Sequence, residues 1–327
     1  MTKARTQQVS LQATPYYHCV SRCVRRAFLG GEGFEHRFGW VEDKLLALAE
    51  VFCIEVAAYA VMPDHYHLVL HINTPQAEQL SKLAVIERWH QLFKGSLLSQ
   101  RYCRGEKLLK AEQLTLDDLI VTWRQRLQDI SWFLRLLNEA IARQANQEDQ
   151  CRGRFWEGRF KSQALLDDQA LLACMAYVDL NPLRTQTAKS PANSPYTSIK
   201  KRIAKAKTAH QVNHPRQQEQ SLMPFAGKPR QNMPEGIPCR LSDYLELVDW
   251  TARIVRKKKQ GAIEKQVPPL LAQLSIGAKN WLILSTQFEQ RFGRVIGTPK
   301  HLRPACTTLD YQRIPGMTNS KLLFEDA

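Results

Sequence analysis

Apolar residues in the first part of the chain recur at the spacings of strands and of one helix. Residues 16–22 alternate well enough to predict a strand that follows a basic leader. Apolar side chains at helical spacing within residues 41–51 predict an amphipathic helix. Residues 54–61 and 65–72 are both β-like, and the three residues between them, a Met-Pro-Asp turn, predict a hairpin.

The middle of the chain is predicted to be mostly helical, with a basic loop and one more strand. Residues 74–128 are polar and helical, which indicates an inserted helical element, and residues 130–145 carry apolar side chains at helical spacing. A loop rich in arginine, glycine and aromatic residues follows, and residues 162–166 predict a short strand. The next helix has an aspartate as its predicted N-cap and runs toward Asn181, where the following proline ends it.

Beyond residue 185 the composition changes, and three further segments are expected. Residues 186–240 are rich in proline, serine, glutamine, lysine and asparagine, which is typical of a basic linker. Residues 241–297 return to helical apolar spacing and predict a small helical C-terminal element, whereas residues 298–327 are expected to form a loosely ordered tail. The prediction is therefore an α+β domain at 14–185 that contains the insertion, followed by a largely helical extension.

Charge identifies the class of partner better than overall composition does. The chain has 327 residues with 46 lysines and arginines against 31 aspartates and glutamates, so its formal net charge is +15. This balance favours a polyanion, because neutralising phosphates releases condensed counterions. A membrane surface is the alternative, but no basic amphipathic helix with large apolar residues stands out, and no apolar run is long enough to span a bilayer. Nucleic acid is the favoured partner.

The cysteines and the N-terminus indicate the compartment. Eight cysteines occur without a CxxC pair or regular spacing, which is typical of reduced thiols. The first ten residues are polar and basic and contain no apolar signal segment. We therefore expect a cytoplasmic protein without a membrane partner.

An HxH sequence in the second strand of the hairpin is a candidate metal site. Because side chains at i and i+2 share a face of a strand, His65 and His67 project together, and Tyr66 belongs to the opposite, apolar face. Two neutral imidazoles can bind one divalent cation if a third ligand comes from elsewhere. The alternative is a pair of ordinary surface or hydrogen-bonded histidines. His71 continues the same face.

A tyrosine near the end of the helix before the proline is a candidate nucleophile. Tyr177 and Asn181 are four residues apart and so lie on one face of a helix. A phenolate can attack phosphorus and form a phosphotyrosine ester, provided that a metal or cations neutralise the developing charge. The alternative is that Tyr177 is a half-buried packing residue.

The basic loop is a candidate DNA-binding surface. Its cations can contact phosphates and its aromatic rings can stack on unpaired bases. The predicted DNA-binding residues of the loop are Arg152, Arg154, Phe155, Trp156, Arg159 and Lys161. Arg22 and Arg25, near the first strand, are further phosphate-binding candidates. The alternative is a hairpin whose rings cover the core and whose arginines are solvated.

These motifs in chain order resemble those of one family. The matching segments are Tyr17-His18-Cys19-Val20-Ser21-Arg22, Met62-Pro63-Asp64-His65-Tyr66-His67-Leu68, Ile130-Ser131-Trp132-Phe133-Leu134, Gly158-Arg159-Phe160-Lys161-Ser162 and Tyr177-Val178-Asp179-Leu180-Asn181-Pro182-Leu183-Arg184. They cover roughly residues 14–185. On these residues the chain resembles the REP-associated tyrosine transposases of the single-tyrosine HUH transposase superfamily.

The resemblance implies a ferredoxin-like core with a central antiparallel sheet and packed helices. It also implies cleavage and rejoining of single-stranded DNA, beside hairpin-containing repeats, through a 5′-phosphotyrosine intermediate and with Mg²⁺ or Mn²⁺. Carried over by motif, His65 and His67 are metal ligands, Asn181 is a third ligand and Tyr177 is the nucleophile. The long insertion and the extension depart from the family core, which leaves the DNA sequence and the oligomeric state, monomer or homodimer, open.

A second function is compatible with the same resemblance. A structure-specific DNA-binding regulator, derived from a transposase but without catalysis, would keep the basic surface and would not need two histidines and a tyrosine together. The presence of all three favours the enzyme. In either case the expected partner is single-stranded or hairpin DNA, and the expected location is the cytoplasm, in association with the nucleoid.

Overall fold

A computed structural model describes residues 9–24, 29, 33–226, 236–257, 266–309, 311 and 313–324. Contacts divide the chain into two compact units, which are described separately. The sheet unit comprises the residues up to 42, residues 56–71 and the residues from 154 onward. The helical unit comprises residues 43–55 and 72–153.

The described residues form one sheet of five strands in the order β2-β3-β1-β4-β5. The strands are β1 (Tyr16–Arg22), β2 (Ile54–Val61), β3 (His65–Ile72), β4 (Lys161–Leu165) and β5 (Val295–Ile296). β1 lies at the centre and is antiparallel to both β3 and β4, while β5 adds to β4 in parallel. The first four strands have the order of a split βαβ arrangement, as a ferredoxin-like core requires. The α+β class is confirmed.

The helices of the helical unit come from the predicted insertion and from the segment after it. They are α2 (Thr74–Gln79), α3 (Lys82–Leu92), α4 (Leu97–Cys103), α5 (Lys110–Arg126) and α6 (Ile130–Glu148), and α1 (His36–Val51) joins the two units. Side-chain caps begin several of them; the Ser81 hydroxyl, for example, accepts a hydrogen bond from the Ala84 amide at the start of α3. Trp89 and Trp123 stack at 5.4 Å between ring centroids in the core of this unit.

The sheet unit contains the remaining helices. They are α7 (Asp168–Asp179), α8 (Asn181–Arg184), α9 (Ser198–Ala206), α10 (Leu241–Lys257), α11 (Pro269–Gln273), α12 (Ala278–Arg291), α13 (Pro299–Thr308) and α14 (Met317–Phe324). Asp167 is the N-cap of α7, and its carboxylate accepts a hydrogen bond from the Ala170 amide. Every residue from Ala170 to Asp179 is buried, so this helix is enclosed on all sides and packs in the core, with α12 against it.

The described parts of the segment expected to be a linker, residues 186–226 and 236–240, are folded, which differs from the sequence prediction. Ile199 and Phe225 are fully buried, and Arg202 donates to the backbone carbonyls of Ala57 and Met223. The Met223 amide in turn donates to Val56 at 2.9 Å. A few anchoring side chains and backbone hydrogen bonds therefore attach this polar segment to β2, although its average composition is that of a linker.

The residues after 240 also differ from prediction. The described residues of 241–297, which are 241–257 and 266–297, are largely helical as expected. They do not form a separate element, since α12 packs on α7 and β5 extends the sheet. In the predicted tail, Leu302, Leu323 and Phe324 are buried on α13 and α14. No helix in the described part of the chain is long and apolar enough to cross a membrane.

Candidate active site

One face of the central strands brings together the polar side chains of three strands. Pairing of β1 with β3 places Arg22 opposite His65 and Val20 opposite His67. Pairing of β1 with β4 places His18 opposite Gln163. Directly opposed residues point to the same face of a sheet. The HxH histidines thus share their face with a third histidine, His18, and with a glutamine.

A chain of hydrogen bonds fixes the orientation of His67. The Gln163 side-chain amide donates to the carbonyls of Phe292 at 3.1 Å and Gly293 at 2.6 Å. Its Oε1 must therefore accept from Nδ1 of His18, 2.7 Å away. His18 Nε2 is then an acceptor, and it lies 3.0 Å from Nδ1 of His67. The proton of neutral His67 belongs on Nδ1, which leaves a lone pair on Nε2.

The other histidine of the motif is oriented in the same sense by a carboxylate. Asp64 Oδ1 lies 2.6 Å from Nδ1 of His65, so this nitrogen carries a proton and Nε2 of His65 has the lone pair. The two Nε2 atoms of His65 and His67 are 3.0 Å apart. Two lone pairs at this distance repel unless a cation lies beside both. Two adjacent ligands of an octahedral ion, each at about 2.1 Å, are about 3.0 Å apart.

Burial keeps these histidines neutral. Desolvation lowers the pKa of His18 and of His65. The hydrogen bond that His65 donates to Asp64 opposes this effect on the pKa of His65. Desolvation lowers the pKa of His67 well below its ordinary value, and the other two histidines lower it further. Neutral imidazole is the form that binds a metal ion, because its lone pair is available.

The residues available as ligands fit a cation that keeps open positions. In the described ranges, no three His, Cys, Asp or Glu side chains converge as a ligand set, since both nitrogens of His18 are already in hydrogen bonds. Asn181, at the start of α8, is only 3 % exposed and lines the same cleft as His65 and His67. Two imidazoles and one amide oxygen leave positions for water and a substrate phosphate, as Mg²⁺ and Mn²⁺ sites do.

Tyr177 faces the histidines from α7. Its ring lies 5.8 Å from that of His67, at 90° between the ring planes. Its hydroxyl is 3.1 Å from Oε2 of Glu289, and the guanidinium of Arg184 lies 3.6 Å above the ring centroid. Burial raises the pKa of Tyr177, while Arg184 acts in the opposite direction. The phenol is therefore protonated in the resting protein and lies beside both a proton acceptor and a cation.

These groups line a cleft of about 990 Å³ in the sheet unit. Its basic lining residues are Arg22, Arg159, Lys161, Arg184 and Arg294. Glu289 is the acidic residue of the lining. Positive potential within a cleft concentrates polyanions, so the surroundings of Tyr177 suit a phosphate backbone.

The predicted DNA-binding residues are distributed unevenly. Arg22, Arg159 and Lys161 line the cleft, and Arg22 Nη2 is 3.7 Å from Oε2 of Glu289. Arg152 and Arg154 are exposed and do not line it. Arg25 lies outside the described residues.

The two aromatic residues at the centre of the loop are packing residues in this conformation. Phe155 is 5 % exposed and Trp156 is 8 % exposed. The Trp156 ring lies 5.5 Å from that of Tyr66, on the face of β3 opposite the histidines. The ring faces that base stacking requires are therefore in the core, as the alternative interpretation of this loop expects.

Sequence analysis assigned no role to several residues of the site. Asp64 and Arg184 lie inside the quoted motifs, and His18 lies in the first of them, but nothing in a single sequence assigns hydrogen-bond partners. Gln163 and Glu289 come from segments with no motif signal. Strand alternation would have placed His18 on the face of the HxH pair only if the pairing of β1 with β3 had been known.

Comparisons with known proteins give one weak likeness of fold. A solved structure described as "Structure of the REP associates tyrosine transposase bound to a REP hairpin" matches 67 % of this chain and 98 % of that chain, with 12 % identity and a TM-score of 0.38. At this level the likeness carries no argument for function. No protein-family model and no curated protein matches the sequence.

Proposed function

We propose that the protein cleaves and rejoins single-stranded DNA, with Tyr177 as nucleophile and a Mg²⁺ or Mn²⁺ ion held by His65, His67 and Asn181. The observation that carries this proposal is the pair of imidazole lone pairs 3.0 Å apart, each oriented from behind, in a cleft that Tyr177 also lines, with its ring 5.8 Å from that of His67. Orientation of a ligand histidine by a carboxylate or another acceptor at its second nitrogen is typical of metal sites.

The position of Tyr177 supports a phosphoryl-transfer reaction. Its hydroxyl has a carboxylate as hydrogen-bond partner, a guanidinium covers its ring, and five basic side chains line the same cleft. Charge develops on the phosphate during attack, and preorganised cations stabilise it. A bound Mg²⁺ or Mn²⁺ would supply Lewis-acid polarisation of the phosphate oxygens.

The chemistry follows from the nucleophile. The Tyr177 oxygen bonds to the scissile phosphorus as the bond to the 3′ oxygen breaks, which gives a 5′-phosphotyrosine link and a free 3′-hydroxyl. Another 3′-hydroxyl can attack the link and restore a phosphodiester. One difficult displacement is thereby divided into two, and the energy of the phosphodiester bond is conserved without a nucleotide cofactor. Hairpin-containing repeats are the proposed substrates, on the strength of the motif resemblance.

Covalent trapping tests this proposal. The full chain is incubated with Mn²⁺ or Mg²⁺ and single-stranded hairpin DNA from the flanks of its own gene, and the products are separated on a denaturing gel. We expect a metal-dependent protein–DNA adduct that is absent in Tyr177→Phe. Tyr102→Phe, a change of the same kind on α4 in the helical unit, is the matched control and should form the adduct at the wild-type level.

The other outcomes separate the alternatives. DNA binding without an adduct in either metal would overturn catalysis and support the non-catalytic regulator. An adduct that persists in Tyr177→Phe would show that another residue is the nucleophile. An adduct that forms equally well in EDTA would refute the role of the metal.

A further inference from the structure

We propose that Glu289, from the C-terminal extension, is the general base that takes the proton of Tyr177 as the phenol attacks. This inference rests on the proposed function and adds a catalytic residue to it. Glu289 belongs to α12, more than a hundred residues beyond the tyrosine, in a part of the chain for which the sequence motifs predict no catalytic role.

The hydrogen bond between the two side chains has only one direction. Tyr177 Oη and Glu289 Oε2 are 3.1 Å apart. An ionised carboxylate can only accept, so the phenol donates its proton toward Glu289. A general base must lie within hydrogen-bond reach of the proton that it removes, and this distance meets the requirement.

The backbone of α12 is interrupted two residues before Glu289. Gln287 has φ −122° and ψ 18°, which departs from helical geometry and kinks the helix. The next residue, Phe288, packs its ring 5.7 Å from that of Tyr177 and 6.3 Å from that of His18. Glu289 follows at the edge of the cleft, so the last turn of α12 presents first an apolar contact and then a carboxylate to the tyrosine.

Two arginines place positive charge beside the proton donor and the proton acceptor. Arg22 Nη2 lies 3.7 Å from Oε2 of Glu289 and places a positive charge beside the carboxylate. Arg184 lies over the Tyr177 ring, where its charge favours the phenolate as it forms. The Tyr177 oxygen must lose its proton to form the ester, and the Glu289 carboxylate is its hydrogen-bond partner.

The balanced step is as follows. The Tyr177 oxygen bonds to phosphorus, its proton passes to a Glu289 oxygen, and the bond between phosphorus and the 3′ oxygen breaks. The leaving 3′ oxygen takes up a proton from solvent, and Glu289 later releases its own proton to solvent. In the rejoining step the attacking 3′-hydroxyl loses its proton to solvent as its oxygen bonds to phosphorus. Glu289, which has taken up a proton from solvent again, gives this proton to the departing Tyr177 oxygen.

The test is the rate of adduct formation in Glu289→Gln, with the full chain, Mn²⁺ and hairpin DNA. The amide keeps the size of the side chain and loses the proton acceptor. We expect the rate to fall by about 100-fold or more, which is the usual contribution of a general base. Glu246→Gln, at an exposed position of α10, is the matched control and should retain the wild-type rate. Thermal unfolding of both variants shows whether they remain folded.

Rescue distinguishes proton transfer from a structural role. A ring-fluorinated tyrosine at position 177 has a more acidic phenol and needs its base less. In the Glu289→Gln background it should restore most of the lost rate, whereas in the Glu289 protein it should change the rate little. A DNA whose 3′ leaving atom is sulphur should leave the defect unchanged, because sulphur departs without a proton.

Each outcome decides between the possibilities. A wild-type rate in Glu289→Gln overturns the proposal, as does a defect that the fluorinated tyrosine fails to relieve in a folded protein. A defect relieved by the sulphur leaving group would mean that Glu289 acts on the leaving oxygen, which also overturns it. If the wild-type chain forms no adduct, the proposed function fails and this inference fails with it.

Discussion

Two buried polar clusters lie beside the helix that carries Tyr177, and they differ in how their hydrogen bonds end. The histidine cluster comprises His18, His65 and His67. The aspartate cluster comprises Asp179, Ser198 and Tyr244, and Asp179 is two residues after Tyr177 on α7. Both contain polar side chains removed from water, which is unfavourable unless partners replace the water.

The aspartate cluster satisfies its central carboxylate within the protein. Asp179 Oδ1 accepts from the Ser198 hydroxyl at 2.5 Å, and Oδ2 accepts from the Tyr244 hydroxyl at 2.6 Å. Tyr59 also donates its amide to Ser198 at 2.9 Å. This arrangement attaches α7, α9 and α10 to β2, and none of its residues lines the cleft around Tyr177.

The histidine cluster ends instead on two acceptors that face each other at the cleft. Its orienting hydrogen bonds are complete from behind, at Asp64 and at Gln163, and in the proposed function a cation lies in front of both acceptors. The difference teaches that burial and polarity do not by themselves mark a functional site. A cluster whose acceptors are oriented from behind and face a cleft is the better candidate for one.

The largest expected effect, on adduct formation, comes from removing one of the two imidazoles whose Nε2 atoms face each other. His65→Ala should abolish metal-dependent adduct formation, because one of two imidazole ligands is lost. The free energy of unfolding should change by less than about 1 kcal/mol, since the lost group faced another acceptor. Adduct gels and urea unfolding measure the two quantities. His210→Ala, at an exposed position, is the control. Undiminished adduct in His65→Ala would remove the distinction between the clusters.

The aspartate cluster should behave in the opposite way. Asp179→Ala removes the acceptor of two buried hydroxyls and leaves that of Ser198 only the Tyr59 carbonyl, at 3.3 Å. It should lower the free energy of unfolding by about 3 kcal/mol. The Mn²⁺ affinity of the folded protein should be unchanged. Urea unfolding and Mn²⁺ titration check this, with Asp249→Ala on an exposed face of α10 as control. Equal stability of the two variants would show that the cluster does not stabilise the fold.

A smaller effect, on metal affinity, is expected from removing a residue that orients the histidine cluster. Gln163→Leu removes the acceptor that fixes the proton of His18 on Nδ1, and with it the tautomer of His67. Loss of such an orienting partner typically weakens metal binding by about 10–100-fold. Titration with Mn²⁺, followed by electron paramagnetic resonance, measures the affinity. An unchanged affinity would contradict the hydrogen-bond assignment.

The smallest effect is a pH dependence with opposite signs for the two clusters. Burial raises the pKa of Asp179 from its ordinary value to about 6, so the folded state binds more protons than the unfolded state between pH 4 and 6. Stability from this group is complete at pH 4 and is lost as the pH rises to 6. The histidines have lowered pKa values, so they contribute stability above pH 6.5 that is lost on acidification.

Unfolding at several pH values separates these contributions. Asp179→Asn should lose the decline between pH 4 and 6, which we expect to be on the order of 1–3 kcal/mol. The same variant should keep the loss of stability below pH 6.5. An Asn variant whose stability has the same pH profile as the wild type would show that Asp179 does not titrate in this range.

The strands and helices up to residue 185 follow from the sequence because their periodicity is local. The HxH spacing alone places His65 and His67 on one face, and the structure has them 3.0 Å apart. The four-residue spacing relates Tyr177 to Asn181 in the same way, and both line the cleft. In these cases the chemistry depends on neighbours along the chain, which a sequence displays directly.

The prediction of a linker at residues 186–240 is wrong because it rests on average composition. Average composition treats residues 186–240 as polar, but the fold depends on individual residues such as Ile199 and Phe225, which insert into the core. Arg202, a fully buried cation, donates to two backbone carbonyls and lies 4.7 Å from the Phe225 ring centroid. Nothing in the composition distinguishes this arginine from a solvated one.

The sequence by itself determined the α+β class, the basic character, the HxH pair and the tyrosine with its spacing to Asn181. Only the tertiary structure decided that His18 orients His67, that Gln163 orients His18, and that Glu289 reaches Tyr177 from α12. The physical reason is the separation along the chain of the residues that interact. Periodicity along the chain fixes which side chains share a face of one element, whereas strand pairing and helix packing bring together residues more than a hundred positions apart.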